Sequence, residues 1–432
     1  MRNSRTLLGL AALVAGLGGS SLRADSSVKA DSLAGRWDAS ITLNGVAIPF
    51  RLDISGDGAN LKGALFNGDQ LQTTTDARLE NGKIELDFDH YLTKITATLK
   101  QGQLDGQVEG RFDREKYISS VPFQAKRYSA GALSAANAPS IDGVWEIPYD
   151  SPKGEKAWRF IVHQSGPDVA ASILRVDGDT GALTGNFQNG KFVLSHFDGS
   201  RPLLLEVSPA SDGTLEIQAN GAYAQTKKLV AYRPEAARAK GLPEPANYTT
   251  HTTVRDPNET FAFRFPDVNG KIVSNEDPKF KGKVVLAILT GTWCPNCHDE
   301  AQYLVQLYKK YRDQGLEIVA LDFEEPEQQD TFSRERAFVK KYGVEYTYLI
   351  AGAPAEMWEK VPQGVNLNTW PATFFIGRDG RVKSIHAGFA SPASGEFNRQ
   401  LKEEFTSNIE RLLADVGNTA IPTSASAAVV RK

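Results

Sequence analysis

Val284-Val285-Leu286-Ala287-Ile288-Leu289, followed by Gly291-Thr292-Trp293-Cys294-Pro295-Asn296-Cys297, is the stretch that decides the fold. Six consecutive apolar residues suit a strand buried on both faces. Leu304, Leu307 and Tyr311 then recur at helical spacing. The only two cysteines in 432 residues therefore fall where a strand's carboxyl end turns into a helix. Open α/β sheets place their sites at that end of the strands.

The α/β pattern continues outward from this point. Residues 316–322 read as a second buried strand and 334–342 as a helix. Residues 373–376 and 382–386 flank Arg378-Asp379-Gly380, a hairpin signature. A helix over 397–415 carries Leu401, Phe405, Ile409 and Leu412 on one side.

A dithiol spaced as Cys294-x-x-Cys297 in such a setting is redox machinery. The unpaired N–H groups and positive dipole end of a helix start favour thiolate over thiol, and Cys294 falls at that first turn. Pro295 is tolerated there because its missing N–H has no helical partner. Cys297, Glu300, Ala301, Leu304, Leu307 and Tyr311 share one inward helical face, with Cys294 at the open, solvent-facing end. These positions predict Cys294 as the attacking thiolate and Cys297 as the resolving thiol. Glu300, half-buried one turn beyond Cys297, is expected to have a raised pKa and to exchange a proton with it. The plainer reading of Glu300 is an acid near a helix start, favourable to the dipole. Trp293 either packs or faces substrate beside the thiolate. His298 reads as a solvated helix residue.

Gly291-Thr292-Trp293-Cys294-Pro295-Asn296-Cys297 with Glu300 resembles the thioredoxin superfamily, in particular its TlpA/ResA-like branch of exported thiol–disulfide oxidoreductases. Trp370-Pro371-Ala372-Thr373-Phe374-Phe375-Ile376 and Gly380-Arg381-Val382 resemble the same family's later strand and hairpin. The likeness runs from about Phe261 to Asp415, a third of the chain. It implies a thioredoxin-like fold and a cis-proline at Pro371 facing the dithiol, with Trp370 offering its backbone to a substrate peptide. It also implies that Glu300 occupies the acidic position after the second cysteine. The buried aspartate of thioredoxin itself falls on Ile288, which cannot ionise. Pro295-Asn296 between the cysteines and the bulky Trp370 depart from the commoner residues. By this resemblance the chain is a protein-disulfide reductase with disulfide-bearing client proteins and a thiol electron donor that the sequence does not name.

Upstream, the chain repeats itself. Gly35-Arg36-Trp37 matches Gly143-Val144-Trp145 at an offset of 108, which also carries Asn81-Gly82-Lys83 onto Asn189-Gly190-Lys191. The same offset lays Phe50, Leu52 and Ile54 on Trp158, Phe160 and Val162. Three blocks aligned without a gap predict a duplicated domain. Each copy alternates apolar and polar residues with turn residues between, so each is expected to be an antiparallel β-barrel or sandwich. The expected architecture is two duplicated all-β domains followed by an α/β thioredoxin-like domain. Its parts are a signal peptide at 1–24, β copies at 33–128 and 141–233, an Ala/Ser joint at 129–140 and a Pro-rich, semi-stiff linker at 234–256. The thioredoxin-like domain follows at 257–416 and a disordered tail at 417–432.

Arg2, Arg5, the apolar run 7–17 and the small residues before Asp25 read as an export signal, placing the protein in the periplasm or cell envelope. Glycines interrupt that run, so a stable membrane span is not expected. A net charge of −3 without a long basic block argues against nucleic acid as a partner. Six scattered histidines indicate no metal site, and no cofactor is expected.

Two alternatives stand beside the reductase reading. A binding protein would use the β copies to capture a ligand or partner, with the α/β domain as a redox accessory. A thiol peroxidase requires proline seven residues and threonine or serine three residues before its reactive cysteine, where this chain has Ala287 and Gly291.

Overall fold

The computed structural model describes residues 33–113, 116–129, 137–222, 226–329 and 331–415. The leader expected at 1–24 and the tail expected at 417–432 lie outside the described residues, as does most of the 129–140 joint.

Residues 35–127 form an antiparallel sheet of nine strands. The first strand, Gly35–Leu43, pairs with both the second, Val46–Ser55, and the last, Ser119–Arg127, so the meander curls back on its own start. The edges, Gln70–Thr73 and Asp76–Glu80, are neighbours in sequence but are not laddered together, which leaves a half-barrel. Residues 143–231 form a second nine-stranded antiparallel sheet. Here the ends meet: Glu146 and Tyr232 exchange backbone hydrogen bonds of 2.8 and 2.9 Å, giving a nearly closed barrel.

The same local devices build both sheets. Asn81-Gly82 (φ 51° and 75°) and Asn189-Gly190 (φ 51° and 83°) are left-handed pairs, the geometry that joins adjacent strands in tight hairpins. Trp37 pairs with Leu52 across the ladder, and Trp145 with Phe160. Each indole Nε1–H donates to a carbonyl four residues back, Leu33 at 2.9 Å and Ile141 at 2.8 Å. Each indole ring also lies under a guanidinium, that of Arg127 at 4.1 Å and that of Arg233 at 3.7 Å.

The C-terminal region is an α/β layer around a five-stranded sheet. Its order is Thr347–Gly352, Leu316–Phe323, Val284–Thr290, Ala372–Ile376, Val382–Ala387. The first three strands run parallel and the last two antiparallel to their neighbours. Val284–Thr290 is buried at every residue, as its unbroken apolar run requires. The helices Pro295–Tyr311 and Glu396–Ala414 cover one face with Leu304, Leu307, Phe405 and Ile409. Phe261, Phe263, Met357 and Val361 cover the other. Among the described residues no helix is long and apolar enough to cross a membrane.

Residues 234–256, read from the sequence as a semi-stiff linker, are anchored at several points. Pro234–Ala239 is a helix started by proline, and Ala237 is fully buried. Thr253–Val254 pairs with Gly364–Val365. Tyr248 accepts a 2.8 Å hydrogen bond from Arg159 on its hydroxyl, and a 3.0 Å bond from the Ala387 N–H on its carbonyl.

All three regions pack together. Phe197 of the second sheet sits in the core of the first, edge-on to Phe50 at 4.9 Å. Asp179 of the second sheet accepts from Ser391 N (2.7 Å), Ser391 Oγ (3.0 Å) and Ser394 Oγ (2.7 Å) of the α/β region.

Candidate functional site

The dithiol lies at the start of the helix Pro295–Tyr311, with Cys294 as N-cap and Pro295 at the first helical position. The Cys297 N–H donates to Cys294 Sγ at 3.4 Å, so the second cysteine sits one turn below the first. Both are free thiols. Cys294 Sγ faces the carbonyl of Trp370 at 3.5 Å, and the Trp370–Pro371 peptide is cis. Trp293 stands beside the thiol. Its Nε1–H donates to Phe323 O at 2.9 Å, and its ring meets Trp370 edge-on at 5.3 Å. The six sequence-derived site residues Trp293, Cys294, Cys297, Glu300, Trp370 and Pro371 thus converge on one end of the sheet.

Burial differs from expectation at two of these positions, Cys294 and Glu300, and at their neighbour His298. Cys294 is not solvent-facing: it is 4% exposed and borders a cavity that residues of both β-sheet regions also line. Glu300 is wholly buried, with Oε1 accepting from Thr373 Oγ1 at 2.6 Å. Burial pushes its carboxyl up to about 8. The Cys297 thiol is pushed up as well, first by burial, then by its bond with Cys294 and by the nearby Glu300. His298, expected to be solvated, is fully buried. Its Nε2–H is assigned as donor to Thr292 O at 2.7 Å and its Nδ1 as acceptor from Tyr342 Oη at 2.9 Å. Burial lowers its pKa to about 3, which keeps the ring neutral. The first β-sheet supplies Tyr91, whose ring lies 4.5 Å from that of His298 and helps to exclude water.

The second β-sheet holds the residue between the cysteines. Asn296 Oδ1 accepts from Arg201 Nη1 at 2.8 Å, and its Nδ2–H donates to Asp177 O at 2.8 Å. Arg201 also pairs with Asp198 and Asp299, each at 3.6 Å. Burial pushes Asp299 up to about 7 although Arg201 opposes the shift. Gly178 permits this contact. At φ 117°, an added Cβ would lie 2.5 Å from Phe389 O and 2.7 Å from the Asn296 amide.

A second acidic group lies behind the dithiol loop. Oxygens of Asp322, Glu324 and Glu335 come within 4.8 Å of one another. Glu324 accepts from the Thr292 N–H at 3.3 Å and from the Thr292 hydroxyl, and pairs with buried Arg334. Burial, with the charges of Glu324 and Glu335, holds the Asp322 carboxyl well above the usual range. Burial and the charge of Glu324 lift Glu335 to about 7. The raised carboxyls of Asp322 and Glu335 ease their burial beside Glu324 and its partner Arg334. Arg201, Asp299 and this trio were not among the residues singled out from the sequence, where His298 reads as solvated. The local signal was the run Asn296–Glu300, whose polar residues alternate between partners on different elements.

An α/β unit with its dithiol at a helix start opposite a cis-proline defines a thioredoxin-like protein. Residues 257–385 match the family model described as AhpC/TSA family. The thiol-disulfide oxidoreductase ResA of Bacillus thuringiensis subsp. konkukian (strain 97-27) is 32% identical over 149 residues, which cover 34% of this chain and 74% of that protein. The ResA of Bacillus thuringiensis (strain Al Hakam) is 33% identical over 120 residues, 28% of this chain. The chain spans 62% of that relative's length. A putative thiol:disulfide interchange protein DsbE from Chlorobium tepidum, of known structure, is 20% identical with a TM-score of 0.29, over 36% of this chain and 99% of that one. By its C-terminal region the chain belongs to the ResA family of thiol-disulfide oxidoreductases.

Proposed function

We propose that the chain is an exported thiol–disulfide oxidoreductase that reduces disulfides in client molecules through Cys294 and Cys297. The observation that carries this reading is the stacking of Cys297 beneath Cys294, with the upper thiol facing Trp370 O across Pro371. Cys294 attacks one sulfur of the client disulfide, forming a mixed disulfide and releasing the other sulfur as a thiolate. Cys297 loses its proton and attacks Cys294 Sγ, and the second client thiol leaves. Two electrons pass to the client, and an external thiol donor restores the dithiol.

Glu300 manages the proton of Cys297. A carboxyl poised near pH 8 gives or takes a proton at little cost near neutrality. Trp293 and Trp370 line the approach to the thiol, and Pro371 sets the facing backbone.

The division into β units at 33–128 and 141–233 and a thioredoxin-like unit at 257–416 accounts for the separate sheets. Duplication accounts for the shared offset of 108 and for the matching indole and arginine contacts. Export rests on the basic and apolar leader alone.

Trapping tests the mechanism. Cys297→Ser is expected to accumulate mixed disulfides with clients, and Cys294→Ser to form none. Equal trapping by both variants overturns the assignment of roles. Rapid peroxide consumption by the purified chain would favour the peroxidase alternative.

A further inference from the structure

Cys294 lies at the floor of a cavity of about 440 Å³ to which all three regions contribute. Arg111 and Phe112 come from the first β unit, Lys153 and Arg175 from the second, and Trp293 and Trp370 from the α/β region. A volume of this order suits a small-molecule site. A disulfide on the surface of a folded protein must reach a sulfur that is 4% exposed, past walls from both β units.

The wall is also unevenly charged. Asp177 is shared by Lys153 at 2.8 Å and Arg175 at 3.5 Å, so two cations meet one carboxylate in the lining on that side. The opposite side is balanced: Arg111 and Arg334 face Glu325, with Glu324 behind. Deeper in, Arg201 is offset by Asp198 and by Asp299, both nearly inaccessible. The basic heads reach the cavity more than the acids do: side-chain exposure is 29% for Lys153 and 31% for Arg175, against 18% for Asp177.

We propose, resting on the oxidoreductase reading above, that the disulfide reduced at Cys294 belongs to a low-molecular-weight, carboxylate-bearing compound whose carboxylate is met by Lys153 and Arg175. The step balances: the protein dithiol and one small disulfide give the protein disulfide and two small thiols. The β units act as a size and charge filter on a thiol that would otherwise be open.

The test uses the reduced full-length chain and three oxidants: oxidised glutathione (anionic), cystamine (cationic) and insulin (a folded protein). Each rate is divided by the rate of the same oxidant with dithiothreitol, which has no walls. Oxidised glutathione is expected to react about twofold to fivefold faster than cystamine, the upper part of the range that one screened charge contact supports. Insulin is expected to be slower than either. Lys153→Gln, at a half-buried position, should reduce the glutathione-to-cystamine ratio, and Arg175→Gln should do the same. Equal normalised rates for the two small disulfides, or a ratio unmoved in both variants, overturns the charge filter. Insulin reduced as fast as oxidised glutathione overturns the size filter while leaving the oxidoreductase reading intact. If no oxidant forms the Cys294–Cys297 bond, the oxidoreductase reading itself fails.

Discussion

The guanidinium of Arg201 in the second β-sheet donates a 2.8 Å hydrogen bond to the side-chain oxygen of Asn296, between the two cysteines. A residue 95 positions upstream therefore holds the loop on which the redox chemistry depends. Removing the asparagine breaks this bond and the one to Asp177 O. Asn296→Ala is expected to cost about 1 kcal/mol for each bond lost. Arg201→Met is expected to cost more, about 3–5 kcal/mol, because it strands the buried Asp198 and Asp299 without their cation. Urea denaturation of the two variants checks the order, and an Arg201→Met no weaker than Asn296→Ala refutes it.

Gly178 lies where the same β-sheet meets the dithiol helix. Its φ of 117° disfavours any side chain, and a methyl group there would meet Phe389 O and the Asn296 amide. Gly178→Ala is expected to force the second β unit away from Cys294. The change should destabilise the fold by about 1–3 kcal/mol and speed alkylation of Cys294 by iodoacetamide. Unchanged alkylation would mean that the β unit does not limit access to the thiol.

The α/β region was legible because its signals are local. The apolar run 284–289 named its strand, Pro295 marked the first turn of its helix, and Leu304, Leu307 and Tyr311 marked the buried face. The period-two pattern gave the antiparallel sheets. The site's roof was not legible. Arg201 with Asn296, and Arg111 with Glu325, join residues 95 and 214 positions apart, and no periodicity records such pairs. His298 was misread for a related reason. On the helix alone it lies beside polar residues, but Tyr91 and Phe338, from other elements, bury it.

Trp37 and Trp145 offer a paired comparison. Each indole N–H bonds a carbonyl four residues back and each ring lies beneath an arginine. Trp37→Phe and Trp145→Phe remove the same bond and similar volume, and each is expected to cost about 1–3 kcal/mol. Calorimetry should find a loss of this order at both positions. A loss at one position only would show that the two sheets do not use their tryptophans alike.

Stability should fall between pH 6.5 and 8. Glu300 (about 8), Asp299 (about 7) and Glu335 (about 7) keep protons in the folded chain that unfolded carboxyls shed near pH 4. The folded state binds more protons across this window, so stability present at lower pH is lost as pH rises through these values. The share of Glu300 over this window is roughly 1–2 kcal/mol. Glu300→Gln should flatten the decline of melting temperature and slow the release of client from the Cys294 mixed disulfide. An unaltered slope, or an unaltered release rate, contradicts the assignment at the corresponding step.

His298 acts in the opposite sense on the acid side. It is held neutral to about pH 3, while an unfolded histidine takes up its proton near 6.5. At this one site the folded chain binds fewer protons in that interval, so its contribution is lost as pH falls through 6.5 towards 3. At pH 7, His298→Gln is expected to be less stable than the parent by about 1–2 kcal/mol, through the bonds to Thr292 O and Tyr342 Oη. The gap should narrow by pH 4.5, because the parent is then charged for keeping its ring neutral and glutamine is not. Guanidinium denaturation of both proteins at the two pH values measures this, and a gap that widens on acidification rules out a neutral, buried His298.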